Sequence, residues 1–190
     1  MRKLVTFLII CVSALFFHSC NDDTIDLCDG IVCVNGSCVS GDCDCDEGWT
    51  GSSCSDQITP SLIEVTAIKV TRFPATADGG AGWDPFSGPD IYVDIKYNDI
   101  LGLTTTYYED ADPSQDYTFT GGQIEIVNYI DNLTGQYTIN LMDYDLSVLD
   151  SDWMGGINFS PYSSNNGFPT TKILDAGGSV AFELTLSYTW

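Results

Sequence analysis

The sequence predicts a mainly β protein in two parts, a small disulfide-stapled module followed by an antiparallel β-sandwich of about eight strands. Three observations carry this reading. Six cysteines crowd between Cys28 and Cys54. From residue 62 onward, β-branched and aromatic residues recur in short runs divided by Gly, Pro, Asn and Asp clusters, and no helical stretch of any length interrupts them. The final run alternates: Val180, Phe182, Leu184, Leu186, Tyr188 and Trp190 fall on one face, and Ala181, Glu183, Thr185, Ser187 and Thr189 on the other. A strand with one wet face belongs to an antiparallel sheet packed on a second layer.

Composition narrows the function classes. The chain of 190 residues carries 27 Asp and Glu against 6 Lys and Arg, for a net charge of −21. That surface disfavours nucleic acid, whose affinity comes largely from Lys and Arg displacing counterions, and favours hard cations. With 44% hydrophobic residues, 12% of the chain being aromatic, the charge decorates a core and does not replace one.

Residues 1–19 read as an export signal. Arg2 and Lys3 precede an apolar run from Leu4 to Phe17 that is short for a membrane span. The sequence Phe17-His18-Ser19-Cys20 places a small residue before a cysteine at the end of that run and resembles a bacterial lipobox, without the usual Leu three positions before the cysteine. The resemblance implies that Cys20 is acylated, becomes the mature N-terminus and anchors the protein to a membrane. Ordinary cleavage near Ser19 with a free Cys20 is the alternative. Asn21, Asp22 and Asp23 resemble the surface-export signal of Bacteroidota-type lipoproteins, which implies the outer membrane and surface exposure. Residues 20–27 then form an acidic tether.

Six cysteines in an exported chain imply disulfides, with fifteen connectivities open on spacing alone. A zinc site is disfavoured by export and by the absence of any histidine outside the leader, where His18 lies. The run Cys43-Asp-Cys45-Asp-Glu-Gly48-Trp49-Thr-Gly51-Ser-Ser-Cys54 resembles the second half of an epidermal growth factor (EGF)-like domain, over residues 28–54. The resemblance implies Cys28–Cys38, Cys33–Cys43 and Cys45–Cys54 pairing. Gly48 and Gly51 suit turns, Trp49 covers a module too small for its own core, and Asn35-Gly36 reads as the tight hairpin turn. Calcium-binding members of that family carry acidic residues before the first cysteine; Asp26 fits but Leu27 does not, so the module reads as a spacer or adhesive unit.

Residues 55–60 are polar, end at Pro60 and read as a linker. Residues 61–190 form the second domain, with strands expected at 62–72, 90–98, 103–109, 116–120, 123–129, 136–144, 155–160 and 179–190. Ending on Trp190 is also compatible with the last strand of an outer-membrane barrel, but strands this short on a tethered spacer favour a sandwich.

Acidic residues cluster in this domain. Asp143, Asp145, Asp150 and Asp152 lie close together, and Asp143 and Asp145 share one face where a strand leaves the core. Asp78, Asp84 and Asp90 occupy a Gly- and Pro-rich loop before Ile91-Tyr92-Val93, and the domain's cations, Lys69, Arg72, Lys96 and Lys172, lie outside both loops. Clustered carboxylates repel unless a cation lies between them, and Ca2+, with six to eight oxygen ligands, is the economical solution; a merely solvated acidic loop is the alternative. The gap between Asp84 and Asp90, the following Ile91-Tyr92-Val93, Asp143-Tyr144-Asp145 and Asp152-Trp153-Met154-Gly155 resemble the first and third loops of the C2 domain, the calcium-dependent lipid-binding sandwich, over residues 61–190. The resemblance implies Asp84, Asp90, Asp143, Asp145 and Asp152 as ligands. One extra residue before Gly155 sets Asp150 in competition with Asp152, Ile91 stands where the family has proline, and the family's basic strand patch is missing.

With no histidine and no expected free thiol after export, His-dependent triads and most zinc hydrolases are excluded. Paired carboxylates of the glycosidase kind stay open as an alternative, but the Asp groups sit in loops rich in like charge with no evident cleft, and the chain reads as no enzyme. The expected role is a cell-envelope lipoprotein that binds or adheres through loops rigidified by calcium, its partner an extracellular protein or glycan. Trp83, Phe86, Trp153 and Tyr162 are candidate contact aromatics, although packing of each loop onto the core is the simpler reading. A carbohydrate-binding sandwich, with those aromatics stacked on sugar rings, and a calcium-dependent lipid-docking module are the alternatives; the second is weakened by the missing basic patch.

Overall fold

The computed structural model describes residues 26–127, 132–145, 151–164 and 166–190. The leader, Cys20 and Asp150 lie outside the described residues.

The N-terminal module is a hairpin held by disulfides. Strand β1 (Gly36–Val39) pairs antiparallel with β2 (Asp42–Cys45). The turn is Ser40-Gly41, both at positive φ, as a tight two-residue hairpin turn requires. Asn35-Gly36, expected as that turn, instead opens β1. Gly36 faces Cys45, and a Cβ there would be driven into the carbonyl oxygen of Asp44. Glycine is needed for close approach of two backbones and not for reversal. Gly36→Ala is therefore expected to destabilise the hairpin by about 2 kcal/mol through forced strand separation; a lowered denaturation midpoint with the three disulfides intact checks it.

The module contains three bonds, Cys28–Cys38, Cys33–Cys43 and Cys45–Cys54, with Cα–Cα distances of 5.8, 5.7 and 5.3 Å. These closures replace a core: Cys54 is fully buried, whereas Leu27, Val32, Val34 and Val39 remain more than half exposed. Each loop closure contributes about 2–3 kcal/mol in the chain-entropy account.

The expected linker is structured. Strand β3 (Trp49–Thr50) pairs with β4 (Asp56–Gln57), and Pro60 is buried. The Ile58 N–H donates to the Gly48 carbonyl at 2.8 Å. Asp56, Gln57 and Ile58 of this segment thus pair through their backbone with the module.

Among the described residues, the second domain is a sandwich of nine strands, all pairs antiparallel. Its strands are β5 (Leu62–Arg72), β6 (Ile91–Tyr97), β7 (Ile100–Thr105), β8 (Tyr117–Thr120), β9 (Ile124–Ile126), β10 (Tyr137–Asp143), β11 (Asp152–Phe159), β12 (Thr171–Leu174) and β13 (Ala181–Thr189). One sheet runs β11-β10-β6-β7-β9 and the other β12-β13-β5-β8. Among the described residues, the helical content is a single 3-10 turn, Gly121–Gln123, and no helix is long and apolar enough to cross a membrane.

Alternation builds the core. Ile91, Val93 and Ile95 from β6, Ile139 and Leu141 from β10, and Phe182, Leu184 and Leu186 from β13 are all buried. In β5 the buried set changes phase, from Ile63 and Val65 to Ile68 and Val70. The cause is a bulge: Thr185 pairs with Ala67 and Leu186 with Val65, leaving Thr66 as the extra residue.

The module sits on the end of the sandwich formed by the C-terminus of β13. Phe168 is the centre of this junction, with ring centroids 5.6 Å from Trp49, 4.9 Å from Trp190 and 5.5 Å from Tyr188. The side chain of Gln57 donates to the Gly167 carbonyl at 2.9 Å, and the Ser61 N–H to the Thr189 carbonyl at 2.7 Å. Gly48, at φ +87°, lies directly beneath Phe168 and Trp190, where a Cβ would stand 2.5 Å from both rings. Trp49, expected to cover the module, also meets the sandwich, edge-on against Phe168.

Candidate functional site

The alternation that buries Ile139 and Leu141 also carries Asp143 into the end of the core. Asp143 is 1% exposed. One oxygen, Oδ1, accepts the Asp90 backbone N–H at 2.7 Å. The other, Oδ2, is buried without a hydrogen-bond partner. The Tyr144 N–H donates in return to the Asp90 carbonyl at 2.8 Å, so the β5–β6 loop and the segment after β10 are tied together at this point.

A buried carboxylate lacking a partner for one oxygen is costly when charged. Burial pushes Asp143 up from the ordinary 3.8 to about 6; the Asp90 N–H opposes the rise, and the negative charges of Asp84, Asp145 and Asp90 add to it. The structure thus brings four of the six expected ligands, Asp84, Asp90, Asp143 and Asp145, into one electrostatic neighbourhood. As placed, they do not form a closed shell: among the described residues, no three His, Cys, Asp or Glu side chains are grouped closely enough to hold a metal ion.

Asp90 has a second engagement that its sequence context does not suggest. Its Oδ1 accepts the N–H of Asp110 at 2.9 Å, and the Ala111 N–H donates to the Pro89 carbonyl at 2.8 Å. The connection between β7 and β8 therefore packs against the acidic loop. Gly88 permits this, since a Cβ there would meet the Ala111 carbonyl oxygen at 2.6 Å. Asp110, held at φ 52°, is a neighbour of the site that no spacing signal marks.

Asp152 behaves differently from Asp143 although the two are ladder partners. β10 and β11 slip register between Leu141 and Met142, and Asp152 is exposed. It lines a cavity of about 350 Å3 together with Asp78, Trp83 and Trp153. Asp150, its competitor, lies outside the described residues.

The expected contact aromatics separate into three kinds. Phe86 is fully exposed and Trp153 is 63% exposed. Trp83 is half-buried against the core, its indole donating to the Pro74 carbonyl at 2.9 Å. Tyr162 is buried at the opposite end, stacked on Phe168 at 6.4 Å, because β11 starts at the acidic end and carries the chain away from it. It belongs to the junction and not to the acidic loops.

Behind Trp153 lies a polar chain that alternation does not reveal. Asp94 and Asn140, both buried, are joined by the Asn140 amide donating to Asp94 Oδ1 at 2.8 Å. Lys96 pairs with Asp94 Oδ2 at 3.0 Å, and Asn140 Oδ1 accepts the Trp153 indole N–H at 3.1 Å. Two other cations are also committed: Lys69 to Asp116 at 2.6 Å, and Arg72 to Asp175 through both terminal guanidinium nitrogens, Nη1 and Nη2. Among the described residues, these ion pairs involve neither Asp84, Asp90 nor Asp143.

No protein-family model and no curated protein matches the sequence. Solved structures similar to this chain include one described as a C2 domain, at 15% identity and a TM-score of 0.42, covering 66% of this chain and 97% of that one. The first C2 domain of a plant extended synaptotagmin 1 gives 17% identity and 0.38, covering 69% and 96%. A calcium-bound pair of C2 domains from extended synaptotagmin 2 gives 13% and 0.36, covering 68% and 46%. The mainly β fold follows from the antiparallel sheet topology.

Proposed function

We propose that this chain is a non-catalytic binding or adhesion protein of the cell envelope, held by a lipid on Cys20, in which the EGF-like module is a spacer and calcium stabilises the acidic end of the sandwich. The observation that carries the calcium reading is Asp143 Oδ2, a carboxylate oxygen fixed in the core without a partner while three like charges bear on it. A divalent cation would supply that partner and offset the repulsion. Asp143 is the fixed ligand in this reading, and Asp84, Asp90 and Asp145 would turn toward it from the loops; Asp152 stands on the cavity side and would join last.

The lipid-docking alternative gains little support from the surface. Lys69, Arg72 and Lys96 are each held by a carboxylate, and among the described residues Lys172 alone of the sandwich cations has no ion pair. Anionic headgroups would meet a strongly negative surface.

Thermal melting with calcium and with chelator tests the reading. At a calcium concentration one hundred times Kd, binding to the folded state alone contributes about 2.7 kcal/mol, equivalent to a rise in Tm of roughly 5–10 °C for a chain of this size. Asp84→Asn is expected to reduce the shift. An unchanged Tm across millimolar calcium defeats the metal reading.

A further inference from the structure

We propose that the cavity beside the β5–β6 loop is a receptor for an organic cation, the ammonium or guanidinium group of a lysine- or arginine-bearing segment of a partner protein. This deepens the binding reading by naming a partner chemistry, and it does not require calcium.

The lining sets the chemistry. Asp78, Asp152, Trp83 and Trp153 contribute, with the hydroxyl-bearing Thr76 and Ser179, and no Lys, Arg or His is present. Both indole N–H groups are already used inside the protein, by the Pro74 carbonyl and by Asn140 Oδ1. The indoles therefore offer a ligand carbon edges and π faces, and those faces carry the negative end of the ring quadrupole. Carboxylates and π faces together present a negative potential, and hydroxyl oxygens can accept as well. An anion is repelled. A neutral sugar could donate to the carboxylates but would gain nothing from the field of a chain at −21.

Preorganisation is the second argument. Trp153 is 63% exposed, yet its indole is held by the chain running through Asn140 and Asp94 to Lys96. Fixing a large apolar ring in water contributes little to folding, whereas it lowers the ordering cost of binding. The volume of about 350 Å3 is at the small end for ligand sites and suits one long cationic side chain, with its backbone left at the mouth.

The test titrates Nα-acetyl-lysine amide and Nα-acetyl-arginine amide into the full chain at constant ionic strength, following tryptophan fluorescence. A trimer of N-acetylglucosamine serves as the neutral comparison. Chelator is kept throughout, so failure here is separate from failure of the calcium reading. A saturable response to the two cations is expected, weakened roughly two- to thirtyfold by Trp153→Ala, the range of a cation–π contact, and restored in part by Trp153→Phe. Asp78→Asn, an exposed loop change that leaves the core untouched, should weaken it too, while Asp44→Asn in the disulfide module should not. Equal losses in Asp78→Asn and Asp44→Asn would mean diffuse charge and overturn the site. So would a response to the sugar and not to the cations, or no response to either cation.

Discussion

Phe168→Ala is expected to lower the stability of the protein by about 3 kcal/mol, the low end for a phenylalanine truncation because the ring is only partly buried. The loss should be accompanied by a loss of cooperativity. Phe168 touches Trp49 of the module and Tyr162, Tyr188 and Trp190 of the sandwich, so its removal empties the centre of the junction. What remains are polar ties such as Gln57 to Gly167 and the indole of Trp190 to the Ile58 carbonyl at 3.3 Å. Those contribute about 1 kcal/mol each at most. In the wild type, calorimetry should show one transition, and limited proteolysis should leave residues 55–60 uncut. In the variant, cleavage should appear in that segment while the disulfides hold the module together. A variant as resistant and as cooperative as the wild type would mean that the module is tethered and not seated. Gly48→Ala approaches the same junction from below, through the left-handed backbone at φ +87° and the crowding of Phe168 and Trp190.

The strands of the sandwich are legible because burial follows period two. The strand expected at 62–72 is β5, Leu62–Arg72, and the alternating last strand corresponds to β13. β11 begins at Asp152, earlier than expected, because Trp153 is exposed and the Gly155-Gly156 pair gives no pattern. β12 leaves no mark in the sequence: it is four residues long, lies at a sheet edge, and exposes Ile173, so neither length nor alternation announces it. In the acidic group, spacing identifies carboxylates but not their environments. Asp143 and Asp152 look equivalent in the chain and stand opposite each other in the β10–β11 ladder, yet the first is buried and the second, at the very start of its strand, is exposed. The junction is illegible for a related reason. Trp49, Gln57, Phe168 and Trp190 are distant in sequence, and nothing local says that an end-of-strand aromatic will meet a disulfide module.

Asp143→Asn should stabilise the protein at pH 7.5 in chelator by about 2–3 kcal/mol, an inversion of the usual effect of altering a buried polar residue. The folded protein holds the Asp143 proton up to about pH 6, whereas the unfolded chain releases it near 3.8. A folded-state value above the unfolded one means that the native state binds the extra proton, so stability falls as pH rises through this window, by about 1.4 kcal/mol per unit, and stays low above it. Asparagine keeps the oxygen that accepts the Asp90 N–H and removes the charge, leaving an amide that can donate to the neighbouring carboxylates. The advantage of the variant should therefore shrink below pH 6 and vanish below about pH 4, where both proteins are neutral at this position. Urea denaturation midpoints at pH 4, 5, 6 and 7.5 measure it. With calcium the order should reverse at neutral pH, because the charged oxygen that destabilises the metal-free fold is the one a cation would use. The calcium contribution would then be lost as pH falls and Asp143 is protonated. A difference between wild type and variant that is flat in pH would mean that Asp143 is solvated and charged without penalty, and the buried oxygen on which the calcium reading stands would not exist in solution.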